Sequence, residues 1–248
     1  MNKMDRNKTN TDKMNVITLV LGPVSTNCYL VCNQHTKECI IIDPAAETNV
    51  IIKMTEELEV LPKAVFLTHG HYDHIGAAEE IKEYFHIKIY ANELEQEVLV
   101  NSYKNLSEIM GNKVLSIQAD EYLTDGQVLT IAGFQIRAIS TPGHTRGGMC
   151  YHVSLGSVSL SSVSLENVPF NESSINEDSS KKEEAVFSGD TLFRESVGRY
   201  DFPTSDGNAL FRSIKEKLLC LEEGLKVYPG HGPATSIGEE KPHFFLGS

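Results

Sequence analysis

No apolar run in the chain approaches the ~20 residues that a membrane-spanning helix needs. Residues 1–14 are polar and mixed in charge, without the apolar centre of a signal peptide. They read as a disordered lead-in, with Met14 as an alternative start, and the expected compartment is cytoplasmic. Cysteine is scarce: five residues, an odd count, with no C-x-x-C pair. A disulfide framework is therefore not expected. Cys28, Cys32, Cys39, Cys150 and Cys220 read as buried or edge thiols, with Cys150 near enough to His144 for a contact there. Basic residues are in the minority, 22 against 34 acidic ones, for a formal charge of −12. That balance argues against a nucleic-acid partner. What is present is an ordinary hydrophobic share, 40% of 248 residues, sufficient for one large domain.

The densest chemistry lies in Thr68-His69-Gly70-His71-Tyr72-Asp73-His74-Ile75-Gly76. This stretch follows the apolar run 64–67 and precedes a helical pattern, so it reads as a strand end, a tight turn and a helix start. His69 and His71 leave the strand with strand-like alternation and can face one point. Asp73 and His74 can face a second. Imidazole suits zinc and iron, carboxylate is acceptable to both, and two neighbouring ions fit the grouping better than one. The plain alternative is a polar turn that happens to be rich in histidine, and four donors in so short a stretch argue against it. Tyr72 reads as a pocket wall or as an exposed turn residue.

Residues 15–21, 27–31 and 39–42 are short β-branched runs split by turn signals and read as three antiparallel strands. Residues 47–59 show helical spacing, and 60–67 form the strand feeding the histidine turn. A second helix is expected over 75–85, with Ala77, Ala78, Ile81 and Phe85 inward, then a short strand over 87–90. The polar segment 92–110 reads as a surface helix, with a lid as the alternative. A hairpin over 127–131 and 134–140 ends in Thr141-Pro142-Gly143-His144, and a further strand starts at Gly148. Strand character resumes over 185–188 before Gly189-Asp190. A helix follows over 209–219, and the last strand, Val227-Tyr228, runs into Pro229-Gly230-His231. Only a short tail is expected from residue 235 on. Residues 154–184 hold a five-residue Val-Ser-Leu repeat and then a stretch rich in Asn, Glu, Ser and Lys, which reads as a surface insertion without legible function. Every donor thus falls just after a strand, beside glycine or proline, in loops of the kind that carry sites. His35, His86, His152 and His243 lack such surroundings and read as structural or exposed.

Taken together these turns resemble the metallo-β-lactamase superfamily. Its H-x-H-x-D-H pattern stands at His69, His71, Asp73 and His74, and its later positions at His144, Asp190 and His231. The resemblance implies an α+β fold, an αββα sandwich of two mixed β-sheets with helices outside, as a single domain over 15–248. It implies one metal on His69, His71 and His144, a second on Asp73, His74 and His231, and Asp190 bridging them. The turns around His144, Asp190, Arg199 and His231 look most like the glyoxalase II-like group, in a short form without that group's C-terminal helical domain. Common zinc β-lactamases carry a cysteine near position 190, and the aspartate points away from them. A basic residue follows the bridging aspartate in the glyoxalase II-like group, which Arg199 can match; the group's nearby tyrosine falls at about Asp201. Arg199 therefore reads as a substrate-binding cation or as half of an ion pair within its own turn.

The function this implies is a metal-dependent hydrolase, a thioesterase acting on hydroxyacylglutathione-like small molecules. Its cofactors would be two divalent ions, zinc foremost, with iron and manganese acceptable to the same ligands. A metal-bridging hydroxide is the expected nucleophile, since coordination brings the pKa of water from about 15.7 to about 7. Asp73 and Asp190 belong to this catalytic centre. Alternatives are a mononuclear iron persulfide dioxygenase using His69, His144 and Asp190, and a lactonase or other ester hydrolase. A non-catalytic metal-binding interaction domain is a further alternative, although an inactive relative usually loses ligands and all seven stand here. Oligomeric state is not legible.

Overall fold

The computed structural model describes residues 13–155 and 183–245. The expected lead-in, apart from its last residues, and residues 156–182 of the expected insertion lie outside the described residues. Strands β1 (Met14–Leu21), β2 (Thr26–Asn33) and β3 (Glu38–Ile42) form antiparallel ladders, as expected. Helix α1 (Thr48–Glu57) carries the chain back, so β4 (Leu61–Phe66) pairs parallel to β3. Helices α2 (Tyr72–Ile75) and α3 (Ala78–Phe85) lead to β5 (Lys88–Asn92). Helix α4 (Gln96–Val100) and a long loop lead to β6 (Glu121–Leu123), completing a sheet in the order β1-β2-β3-β4-β5-β6. Strands β7 (Val128–Ile131), β8 (Phe134–Ser140), β9 (Met149–Leu155) and β10 (Glu184–Gly189) pair antiparallel in a second sheet. A small hairpin, β11 (Leu192–Phe193) and β12 (Ser196–Val197), and helix α5 (Gly207–Ser213) precede β13 (Lys226–Pro229), which pairs parallel to β10. Strand β14 (Thr235–Ser236) then closes the order β14-β13-β10-β9-β8-β7, and helix α6 (Ile237–Phe245) follows.

Period-two alternation sorts the core into layers. Tyr29, Val31, Ile42 and Phe66 of the first sheet meet Phe134, Tyr151, Val153 and Phe187 of the second. Their chain neighbours Cys28, Leu30, Ile41 and Val65 face the other way, against Ile51 of α1 and Ala78 and Ile81 of α3. Ile139, Val186 and Val227 cover the outer face of the second sheet against Leu210 of α5 and Ile237 of α6. The result is the expected αββα sandwich. Both faces of each sheet are covered, which is why β2 is buried along its whole length.

Four local expectations are corrected. Segment 92–110 is not one helix: after α4 the chain coils into turns, where Asn101 Oδ1 accepts from the N–H groups of Tyr103 and Lys104 and Asn105 Oδ1 from that of Ser107. Such local side-chain bonds compete with the helical ladder. The expected helix 75–85 breaks at Gly76-Ala77, where a Cβ on Gly76 would lie 2.3 Å from the Ala45 carbonyl oxygen. The helix expected over 209–219 starts earlier, behind Asp206, whose Oδ1 accepts from the Ala209 N–H at 3.0 Å, and ends in a π-helical turn over Ile214–Leu218. The stretch after 235 holds β14 and α6, so it is more than a tail.

Both sheets deliver strand ends to one edge, where hydrogen bonds stitch them together. The Met149 N–H donates to the Thr68 carbonyl at 2.8 Å, the Asn27 N–H to that of Gly230 at 2.7 Å, and the Gly230 N–H to that of Gly189 at 2.8 Å. The Tyr151 hydroxyl donates to the Leu67 carbonyl at 2.8 Å. The described ends flanking 156–182 lie at the opposite end of β9, where Leu155 pairs with Phe134 and its N–H donates to the Glu183 carbonyl at 3.0 Å.

Phe66 sits between the sheets, fully buried, stacked on Tyr90 at 5.0 Å and edge-on to Tyr151 at 5.1 Å. Phe66→Ala is expected to cost about 3–5 kcal/mol of stability, read as a lower denaturant midpoint at unchanged slope. A loss below about 1 kcal/mol, the size of an ordinary substitution, would contradict this packing.

Candidate metal centre

The seven donors expected from the sequence meet at that stitched edge. His69, His71 and His144 form one group, and Asp73, His74 and His231 another. A third grouping joins Asp190 to His69 and His74, and within each group the donor atoms lie within 4.8 Å of one another. His144 Nε2 faces His71 Nδ1 at 2.9 Å. Asp190 stands between the groups: Oδ1 is 3.4 Å from His74 Nε2, and Oδ2 is 3.5 Å from His144 Nε2 and 3.6 Å from His231 Nε2. Asp73 Oδ2 is 3.2 Å from His231 Nε2 and 3.4 Å from His74 Nε2. A Cβ on Gly230 would lie 2.1 Å from Asp190 Oδ1 and 2.7 Å from His74 Cε1, so the glycine before His231 is a requirement of space.

Buried polar atoms normally find a hydrogen bond. Here Nε2 of His69, His71 and His74 and Oδ1 of Asp190 are buried without one. A cation would satisfy a site of this kind, and the imidazole and carboxylate donors suit zinc or iron. The outer hydrogen bonds select the free nitrogen. Thr68 Oγ1 donates to Asp43 Oδ2 at 2.6 Å, so it accepts from His69 Nδ1 at 3.1 Å. His74 Nδ1 donates to Asp43 Oδ2 at 2.9 Å, and His144 Nδ1 to the Arg199 carbonyl at 2.7 Å. With Nδ1 protonated, the neutral form of each ring turns a lone pair on Nε2 toward the cluster.

The superfamily profile for metallo-beta-lactamases matches residues 21–161, more than half of the chain. The chain belongs to the metallo-beta-lactamase superfamily. The hydroxyacylglutathione hydrolase GloC of Haemophilus influenzae is 30% identical over 92% of this chain and 95% of its own. BLEG-1, a B3 metallo-beta-lactamase, superposes with a TM-score of 0.77 at 31% identity, covering 94% of this chain and 99% of its own. TTHA1623, solved in a di-iron-bound form, superposes at 0.68 with 30% identity, covering 91% and 97%. Membership in the metallo-beta-lactamase superfamily and the donor cluster together make this chain a metal-dependent hydrolase.

The electrostatics of this metallo-beta-lactamase-type centre divide its histidines. Burial pushes His69 and His71 well below the usual imidazole range, and neighbouring imidazoles add to the effect. Burial also lowers His144. Burial opposes charge on His74 too, but Asp73, Asp190 and Asp43 outweigh it and raise its pKa well above normal. His231 is raised against burial by Asp73 and Asp190. Burial alone would raise the two carboxyls, yet the surrounding imidazoles, His74 first, hold Asp73 below the carboxylate range and Asp190 at about 2. The carboxylates thus favour positive charge at the centre, on His74 above all. A metal ion held by these donors would supply that charge, with protons released from the imidazoles on binding.

Three residues passed over in the sequence hold the donors in place. Asp43, after β3, takes the Thr68 N–H on Oδ1 at 2.7 Å and steers both His69 and His74. Glu95 is fully buried: Oε1 accepts from the Gly70 N–H at 2.8 Å, and Oε2 from the Gly147 N–H at 2.8 Å and the Thr145 hydroxyl at 3.0 Å. It clamps the turn of His69 and His71 to the turn of His144. Burial pushes its carboxyl up to about 7, against three donors that favour the ionised form. Thr26 Oγ1 donates to Asp73 Oδ2 at 2.9 Å.

The other expected contributors have definite places. Arg199 Nε and Nη2 donate to Asp201 at 2.9 and 2.8 Å, and its guanidinium lies 4.0 Å over the Phe202 ring, so the ion pair within its turn is present. Half-buried Tyr72 lines the cleft, as do Leu106 and Met110 from the segment expected to be a surface helix. Cys150 packs 3.2 Å from Thr141 Oγ1, beneath the His144 turn, and is not a donor.

Asp43→Asn keeps the side chain's size but removes its charge from Thr68 and His74. It is expected to weaken metal affinity about 10–100-fold in a folded protein, as measured by competition with a chromogenic chelator. Unchanged affinity would show that Asp43 does not orient the donors.

Proposed function

We propose that this chain hydrolyses small-molecule thioesters at a dinuclear metal centre. One ion is held by His69, His71 and His144, the other by Asp73, His74 and His231, with Asp190 between them. The observation that carries this reading is the set of buried donor atoms without hydrogen-bond partners, Nε2 of His69 and His74 and Oδ1 of Asp190 among them. The separate grouping of Asp73, His74 and His231 supports two ions over the single iron that a persulfide dioxygenase would hold on His69, His144 and Asp190. Zinc suits the donors, and the di-iron form of TTHA1623 supports iron as an alternative occupant. When bound, such ions supply an activated water at neutral pH and a Lewis acid for the carbonyl oxygen.

The chain's own residues do the rest. Asp190 reaches both sides of the cluster, Oδ2 lying near His144 and His231 and Oδ1 near His74, and its charge with that of Asp73 would offset the repulsion between two cations. The imidazoles around Asp73 and Asp190 favour their ionised forms, and a good leaving group here is one that departs without a proton donor. A thiolate leaves without one, because its conjugate acid titrates near about 8.5, whereas an alkoxide or amide nitrogen needs a proton. This favours a thioester over a lactone or other ester, and the name of the relative GloC points the same way. In the reaction the oxygen of water joins the acyl carbon, the C–S bond breaks, and the thiolate takes up a proton from solvent.

Asp190→Ala is expected to abolish hydrolysis of S-lactoylglutathione and to bring the metal content below two ions per chain. Hydrolysis at the wild-type rate in that variant would contradict the scheme.

A further inference from the structure

The donor cluster opens into a cleft of about 280 Å³ whose outer wall is apolar. Val24 reaches it from the β1–β2 turn, Leu106 and Met110 from the loop after α4, Phe193 and Val197 from the β11–β12 hairpin, and Phe202 from the loop beyond. Phe202 stands edge-on to His71 and His144, with 5.6 and 6.1 Å between ring centroids, and Phe193 edge-on to His231 at 6.3 Å. Val24 is 42% exposed and Met110 48%, so large apolar groups from separate segments face water beside a polar centre. Apolar surface gathered around a few convergent polar groups is the usual make-up of a small-molecule site.

Charge complementarity narrows the ligand. A glutathione thioester carries two carboxylates, and each needs a cation or several N–H donors once it leaves water. Among the described residues lining the cleft, Arg199 is the one cationic side chain apart from the imidazoles, and its guanidinium already pairs with Asp201 through two hydrogen bonds. The remaining charged lining residues, Asp73 and Asp190, are acidic. From this wall and this charge pattern we infer that the cleft selects uncharged thioesters bearing an aliphatic acyl chain over glutathione thioesters. The inference rests on the thioesterase reading above and names its substrate class.

The test uses the metal-loaded full chain and thioesters of one uncharged thiol, N-acetylcysteamine, from acetyl through butanoyl to hexanoyl. kcat/KM is expected to rise about fourfold per methylene that meets the wall, with S-lactoylglutathione cleaved less efficiently than the hexanoyl compound. Met110→Ala is expected to lower the hexanoyl-to-acetyl ratio about tenfold at unchanged metal content. Binding gives a readout independent of turnover: the S-hexyl thioether of the same thiol should bind more tightly than the S-ethyl one by calorimetry, with a more negative heat-capacity change. A flat acyl series with S-lactoylglutathione the best substrate would overturn the inference and leave the thioesterase reading standing. If no thioester is cleaved, that reading falls and the thioethers decide: a hexyl compound bound no more tightly than the ethyl one overturns the inference as well.

Discussion

Five imidazoles and the carboxylates of Asp43, Asp73 and Asp190 share one edge between two sheets, most of them buried, and several of their polar atoms find no hydrogen-bond partner. Asp43 and Thr68 occupy the outer nitrogens of His69 and His74, which leaves the inner nitrogens facing a cluster with no hydrogen-bond partner. Burying such groups unpaired is unfavourable by several kcal/mol on the usual scale of about 1–3 kcal/mol each. A bound cation would complete the arrangement, and metal binding would then be linked to folding. The stitching of the sheets at this edge, from Met149 to Thr68 and from Asn27 to Gly230, serves the same end: it fixes turns far apart in sequence at spacings that suit a metal.

What was legible in the sequence follows from how local each signal is. The strand before His69, the turn of His69 to His74 and the Pro-Gly-His turn at His231 carry their own punctuation, and the structure brings their donors together. The sandwich followed from the order of those turns through their likeness to a known superfamily. The positioning residues were hidden for the opposite reason. Glu95 lies in a polar segment that reads as surface, and only the tertiary fold shows that its carboxylate accepts from two donor-bearing turns. Asp43 looks like the end of a strand, and nothing near it in the chain announces His74 as its partner. The break of segment 92–110 after Val100 escaped because apolar spacing suggested a helix, while Asn101 and Asn105 bond locally and divert the chain to the cleft.

The centre and its cleft play different roles. In the proposed reaction the donors and the cations they would hold set what kind of bond is attacked. The wall of Leu106, Met110, Phe193 and Phe202 lines the approach to them, and in the reading proposed here it selects the molecule presented. Arg199 stands at the border between the two. Its carbonyl holds His144 while its guanidinium is taken by Asp201 and Phe202, so it supports the centre through its backbone whatever its side chain meets.

The central claim is that seven side chains from four separate turns hold a pair of cations. Anomalous diffraction from crystals of protein purified without chelator tests this most directly. The account predicts two peaks, one among His69, His71 and His144 and one among Asp73, His74 and His231, with Asp190 between them. A single peak, or none among these donors, would contradict it.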